Sequence, residues 1–129
     1  DSKIFNQVLT EFNINDYVSV IGLHSNVPLI LKSFDVFLFP SITEGQPNAL
    51  IEAMLSGLPI ITSNIEPIKE VIPVESHHIL FDPYDVNAMA EVIEQMYKKV
   101  LLTESYCFSD WAKLQFDQIK NFKAFHDLL

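Results

Sequence analysis

The sequence contains no arginine: its eight basic residues are all lysines, set against 17 acidic ones, for a formal net charge of −9. Without a guanidinium there is no planar fork for a bidentate grip on phosphate. A bulk charge this negative argues against nucleic acid or an anionic lipid surface as the partner. A single cysteine, Cys107, excludes an internal disulfide and fits a reducing, cytoplasmic compartment. No apolar run reaches the roughly 18 residues a transmembrane helix needs, and the opening residues lack the pattern of a signal peptide. Position 1 is Asp1 rather than methionine, which gives the expectation of a segment removed upstream. What is present is 129 residues, 49% hydrophobic and 19% charged, enough for one globular domain with an ordinary core and too apolar for disorder.

Two hydrophobic periods alternate along the chain. Ile4, Val8 and Phe12 stand four apart, which predicts an amphipathic helix over 3–13. Val18-Ser19-Val20-Ile21, stopped by Gly22, predicts a strand, and 26–33 a short helix. Val36-Phe37-Leu38-Phe39, stopped by Pro40, predicts a second strand, its unbroken apolar run suiting a sheet covered on both faces. Asn48 is a natural N-cap for a helix over Ala49–Ser56, which Gly57 closes at the C′ position. Strands are expected at Pro59-Ile60-Ile61-Thr62 and His78-Ile79-Leu80-Phe81, with a short helix over Pro67–Val71 between them. Asp85 caps a helix with the stripe Val86, Met89, Ala90, Ile93, Met96, Tyr97 and Val100. From about Asp110 the tail is again helical, with Ala112, Phe116, Ile119, Phe122 and Leu129 on one side. Strands and helices alternating through short connections predict an α/β fold with a doubly wound, Rossmann-like parallel sheet.

In such a sheet ligands bind outside the carboxyl ends of the strands. The richest of those ends is Thr43-Glu44-Gly45-Gln46-Pro47-Asn48, which runs straight into a helix. The free amides of a helix N-terminus bind phosphate without a basic side chain, which partly answers the missing arginines. Glu52 stands among Ala49, Leu50, Ile51, Ala53, Met54 and Leu55, so the helix reads as buried all round and the carboxylate as short of partners. It either accepts hydrogen bonds from a pair of ligand hydroxyls or is a first-turn glutamate favoured by the helix dipole. Glu44 read alone, in a Glu-Gly pair, is the weaker candidate and reads first as a solvated turn. His77 and His78 are adjacent, face opposite ways on an extended chain and suit a solvated loop better than a metal site. Cys107 lacks a basic neighbour and reads as a buried small hydrophobe.

Taken together, Ser33-Phe34-Asp35-Val36-Phe37-Leu38-Phe39-Pro40-Ser41, then Glu44-Gly45-Gln46-Pro47-Asn48-Ala49-Leu50-Ile51-Glu52-Ala53-Met54, then Gly57-Leu58-Pro59-Ile60-Ile61 resemble the signature of the family 4 retaining (group 1) glycosyltransferases. The hallmark is a glutamate, seven residues and a second glutamate, as Glu44 and Glu52 stand here. Glu70-Val71-Ile72, Leu80-Phe81-Asp82-Pro83 and Phe108-Ser109-Asp110-Trp111 follow the family order, so the similarity spans about residues 15–115. The resemblance implies that Glu44 contacts hydroxyls of the donor sugar at the reacting face. Gly45, Gln46 and Pro47 shape the loop, and the amides from there through Asn48 to Ala49 approach the sugar and diphosphate. Glu52 holds the ribose hydroxyls, and the turn at Gly22-Leu23-His24 lies against the base, with His24 as a contact. It implies a UDP- or GDP-type nucleotide sugar as substrate, no separate cofactor or metal, and a glycan or glycolipid acceptor. It also implies that the full enzyme works in the cytoplasm, at the inner face of the membrane as a peripheral protein.

The departures from the family pattern set further expectations. These enzymes have two Rossmann-like domains, and their donor domain opens with a strand and loop carrying an arginine and a lysine that neutralise the diphosphate. Neither is present. Aligned by motif, residue 1 falls after the first two strands of a sheet ordered 3-2-1-4-5-6, and the family glycine before the sixth strand is replaced by Ser76-His77-His78. Residues 1–129 therefore read as a single partial nucleotide-sugar-binding domain, truncated at its N-terminus and without the acceptor domain. Such a chain alone is expected to be inactive. Two other readings stand beside this one: a non-catalytic nucleotide- or protein-binding α/β module, and a plain doubly wound domain whose glutamates are structural.

Overall fold

Leu50, Ile51, Ala53 and Met54 are buried on one helix and Ile60, Ile61 and Thr62 on the strand that follows it, and the fold is organised around this pair. The structure, a computed structural model, describes residues 2–101 and 106–117. In chain order the elements are α1 (Ser2–Glu11), α2 (Val27–Leu31), β1 (Phe37–Phe39), α3 (Asn48–Leu55), β2 (Ile60–Thr62), α4 (Glu66–Lys69), α5 (Val86–Leu101) and α6 (Ser109–Gln115). Two 3₁₀ segments, Asn15–Tyr17 and Val74–Ile79, join them.

β1 and β2 pair in parallel, with Phe37 opposite Ile60, Leu38 opposite Ile61 and Phe39 opposite Thr62. Successive residues of a strand point to opposite faces, and the core divides accordingly. Ile60 packs in a cluster with Leu50, Met54, Ile68, Phe108 and Ala112, drawn from α3, α4 and the α6 region. Ile61 packs with Phe81 and with Met96 of α5. Helices thus cover both faces of β2, whereas the two-sided cover expected from the apolar run at 36–39 is only partial. β1 is less covered, with Leu38 42% exposed.

The turn that brings α3 back to β2 follows from one residue. Ser56 ends the helix and Gly57 takes a φ of 83°. Its amide donates to Met54 O at 3.0 Å, and that of Leu58 to Ala53 O at 3.2 Å. This is the Schellman pattern, with buried Leu58 supplying the hydrophobic contact that accompanies it. α1 ends the same way with Asn13 at a φ of 53° and the Ile14 amide donating to Leu9 O at 3.0 Å. Asn tolerates that conformation better than other side chains.

Five sequence expectations fail here. The four strands foreseen are two among the described residues. Val18-Ser19-Val20-Ile21 is unpaired and open, with Val20 77% exposed, because a short apolar run becomes a strand only when a neighbour is there to pair it. The first half of the expected strand at 78–81 belongs to the 3₁₀ segment, leaving a single parallel bridge between Phe81 and Ser63. His77 is not a solvated loop residue: its Nε2–H lies 3.1 Å from both Lys69 O and Ile72 O, so it closes the carbonyl end of α4 and holds the helical turn in place. Cys107 is exposed rather than buried, at the rim beside Gly57 O. On α5 the inward side is Ala88, Met89, Val92 and Met96, while Val86 and Tyr97 of the expected stripe face outward. Ile119, Phe122 and Leu129 lie outside the described residues.

Candidate functional site

Because β1 and β2 run parallel, their carboxyl ends open on the same edge, and the residues beyond them are tied together there. Thr62 is buried and its Oγ1–H donates to Phe39 O at 3.0 Å. Ser63, fully buried, donates its hydroxyl to Ser41 O, and the Asn64 amide donates to Phe81 O. Ser41 in turn places its Oγ 2.6 Å from Glu44 Oε1. That distance is typical of a hydroxyl donating to a carboxylate. Glu44 is half-buried and fixed by one oxygen, while its Oε2 has no partner among the described residues.

The loop then turns sharply into α3. Pro47, buried, has φ −80° and ψ 66°, and the Asn48 amide donates to Gln46 O at 2.9 Å. These are the angles and the bond of an inverse γ-turn. The cap of α3 is therefore Pro47, with no side-chain capping bond, and Asn48 is the first helical residue rather than the expected N-cap. Proline can take this place because the amide it lacks is not needed there. The Ile51 amide makes the first helical bond, to Pro47 O at 3.1 Å. The amides of Ala49 and Leu50 have no acceptor among the described residues. Gly45 and Gln46 are exposed on the same loop, and nothing lies within 4 Å of where a Gly45 Cβ would stand.

Glu52 is exposed, which corrects the expectation of a buried carboxylate. The helix is not apolar all round: Asn48, Ala49, Glu52 and Leu55 form its outward stripe, three or four residues apart, opposite the buried Leu50, Ile51, Ala53 and Met54. No hydrogen bond or ion pair engages the Glu52 carboxylate among the described residues. The helix-dipole reading therefore costs it nothing, and its carboxylate is open to a ligand. His24 and the turn at Gly22-Leu23 are exposed in the unpaired segment before α2, with no contact that draws them to the loop after β1. In the sequence Ser41 stands out only as part of the motif and Ser63, with Asn64, only as the carboxyl end of a strand. The signal for both was a serine one or two residues past the end of an apolar strand. A cavity of about 190 Å³ lies at the opposite end of β2, lined by Ile60, His78, Val92, Gln95 and Tyr106 among others, and contains none of the expected site residues.

The family described as Glycosyl transferases group 1 matches residues 2–99, spanning the sheet, the loop at Glu44 and all of α3. The chain belongs to the group 1 glycosyltransferases. Similar curated proteins carry the same class of name. A UDP-Gal:alpha-D-GlcNAc-diphosphoundecaprenol alpha-1,3-galactosyltransferase of Escherichia coli is 33% identical over 84 residues, covering 65% of this chain and 22% of that protein. A putative teichuronic acid biosynthesis glycosyltransferase of Bacillus subtilis is 32% identical over 101 residues, covering 74% of this chain and 25% of its own length. A capsular polysaccharide biosynthesis glycosyltransferase of Staphylococcus aureus is 42% identical over 69 residues, 54% of this chain and 19% of that one. The chain thus aligns with about a quarter or less of the length of these relatives. As a group 1 glycosyltransferase it is part of a transferase family, and no described helix is long and apolar enough to cross a membrane.

Proposed function

We propose that this chain is the donor-binding part of a retaining glycosyltransferase that moves a hexose from a UDP- or GDP-type nucleotide sugar to a glycan or glycolipid acceptor. The observation that carries the reading is the loop after β1. It holds a half-buried carboxylate with one oxygen unengaged and leads into a helix whose Ala49 and Leu50 amides lack acceptors. A diphosphate suits those amides and the positive end of the helix dipole. Sugar hydroxyls suit the free oxygen of Glu44. The ribose hydroxyls suit Glu52, one helical turn along and open to solvent. Gln46, Pro47, Asn48 and Gly45 shape the approach, and His24 is assigned to the base side in the complete domain.

In the reaction the bond from the anomeric carbon to the diphosphate breaks and a bond to an acceptor oxygen forms with the same configuration. The α3 terminus stabilises the charge that develops on the departing diphosphate, and Glu44 orients the sugar. With no arginine in the chain, the remaining neutralisation belongs to the rest of the enzyme, as does the acceptor site. We read the domain as a doubly wound, Rossmann-like one to which this chain contributes β1, β2 and their covering helices. The full enzyme works in the cytoplasm at the inner face of the membrane. The names of the relatives, which include a diphosphoundecaprenol-dependent galactosyltransferase, support an acceptor of the lipid-linked or polysaccharide class.

Calorimetric titration of the chain with UDP tests the assignment of Glu52. Because that side chain is exposed and unpaired, Glu52→Ala leaves the fold intact and weakens UDP binding about tenfold or more, the worth of hydrogen bonds to a charged acceptor. Unchanged affinity in the variant removes Glu52 from the site.

A further inference from the structure

Glu44 is held by a chain of hydroxyls that begins in the core. Ser63 lies at the end of β2 with no exposed surface, and its hydroxyl is committed to Ser41 O. That bond fixes the backbone of Ser41 at the end of β1, two strand-ends sharing one anchor. The Ser41 hydroxyl has a single proton and two acceptors in reach, Glu44 Oε1 at 2.6 Å and Thr43 O at 3.1 Å. The shorter contact, to the carboxyl oxygen, is the one the hydroxyl donates to. Only one carboxylate oxygen is then occupied, and it is tethered to a residue whose own carbonyl is bonded to the buried Ser63 at the end of β2.

We infer that Ser41 is the positioning residue of Glu44: anchored through Ser63, it turns the carboxylate so that Oε2 meets a hydroxyl of the donor sugar. The inference rests on the donor-site reading above and deepens it. Neither serine touches the ligand; each acts through Glu44. A carboxylate on an exposed loop without such a tether samples several rotamers and loses part of its affinity in being ordered. The tether removes that cost before the sugar arrives.

The consequence is specific to the sugar half of the ligand. UDP does not reach Glu44, whereas UDP-galactose, the donor named for the Escherichia coli relative, does. Calorimetric titration of the chain and its variants with UDP and with UDP-galactose separates the two. Ser41→Ala is expected to weaken UDP-galactose about tenfold and to leave UDP where it was, since the loss falls on one charge-assisted hydrogen-bonded group. Ser41→Thr, which keeps the hydroxyl, restores the affinity for UDP-galactose. A merely structural serine moves both ligands together. Equal weakening of both, or UDP-galactose affinity unchanged in Ser41→Ala, overturns the positioning role while leaving the donor site standing. A parent chain that binds neither ligand contradicts the donor-site reading itself, and the role of Ser41 with it.

Discussion

Gly45 and Gly57 are separated by one helix and are expected to respond to the same substitution with opposite signs. Gly57 sits at φ 83° and has nothing within 4 Å of a Cβ, so an alanine there meets no clash and bears only the left-handed penalty. That penalty is about 1–2 kcal/mol, which lowers the melting temperature by roughly 4–7 °C in a domain of this size. Gly45 has the same open space but is not among the glycines of positive φ. An alanine there fits the backbone and restricts the unfolded chain, for a gain of about 0.4–1 kcal/mol. The fold therefore does not require a glycine at 45. If the donor packs against this loop, the added methyl costs about 1–3 kcal/mol of overpacking, roughly a five- to 150-fold loss of UDP-galactose affinity. Thermal unfolding followed by circular dichroism, with titration of the same samples, reads both quantities. A Gly45→Ala chain that is less stable, or that binds UDP-galactose as the parent does, refutes this reasoning.

Two further outcomes are expected. The Trp111 Nε1–H donates to Val71 O at 3.2 Å and ties α6 to the end of α4. Trp111→Phe keeps most of the ring but leaves a part-buried carbonyl without its donor, for a loss of about 1 kcal/mol by chemical denaturation; unchanged stability contradicts the tie. The Glu66 carboxyl is held below its ordinary pKa, first by its hydrogen bond from Lys69 at 2.7 Å and then by the charge of that lysine. A lowered folded-state value means the stabilisation is full above the unfolded carboxylate pKa and is lost as pH falls through the lowered one. Both partners reach solvent, so the effect is small and screened by salt. NMR titration of Glu66 should show the lowered value return to the ordinary range in Lys69→Met.

How far the sequence discloses this protein depends on what each residue needs from its surroundings. α3 and its C-terminal turn are legible because the apolar run, Gly57 and the following strand are all local signals. β2 is legible because Pro59-Ile60-Ile61-Thr62 is a short, mainly apolar and β-branched run following the turn at Gly57. The segment at 18–21 has the same local signal as β2 and no pairing neighbour, so the same inference fails there. The burial of Glu52 was misjudged because the small and apolar residues beside it, Ala49 and Leu55, face outward with it. His77 could not be read at all, since its acceptors are carbonyls that only the folded turn brings within reach. Within the site, the two glutamates and the loop between them are visible as a motif. The Ser63–Ser41–Glu44 chain is not, because it joins two strand ends 22 residues apart.

The central claim is that a nucleotide sugar binds at the loop after β1 and the start of α3. Amide-resolved NMR of the chain titrated with UDP-galactose tests it most directly. The account predicts shifts that concentrate on the amides of Gly45, Gln46, Asn48, Ala49 and Leu50 and extend to Glu52. Shifts that gather instead around His78, Gln95 and Tyr106 at the far end of β2, or no shifts at saturating ligand, contradict it.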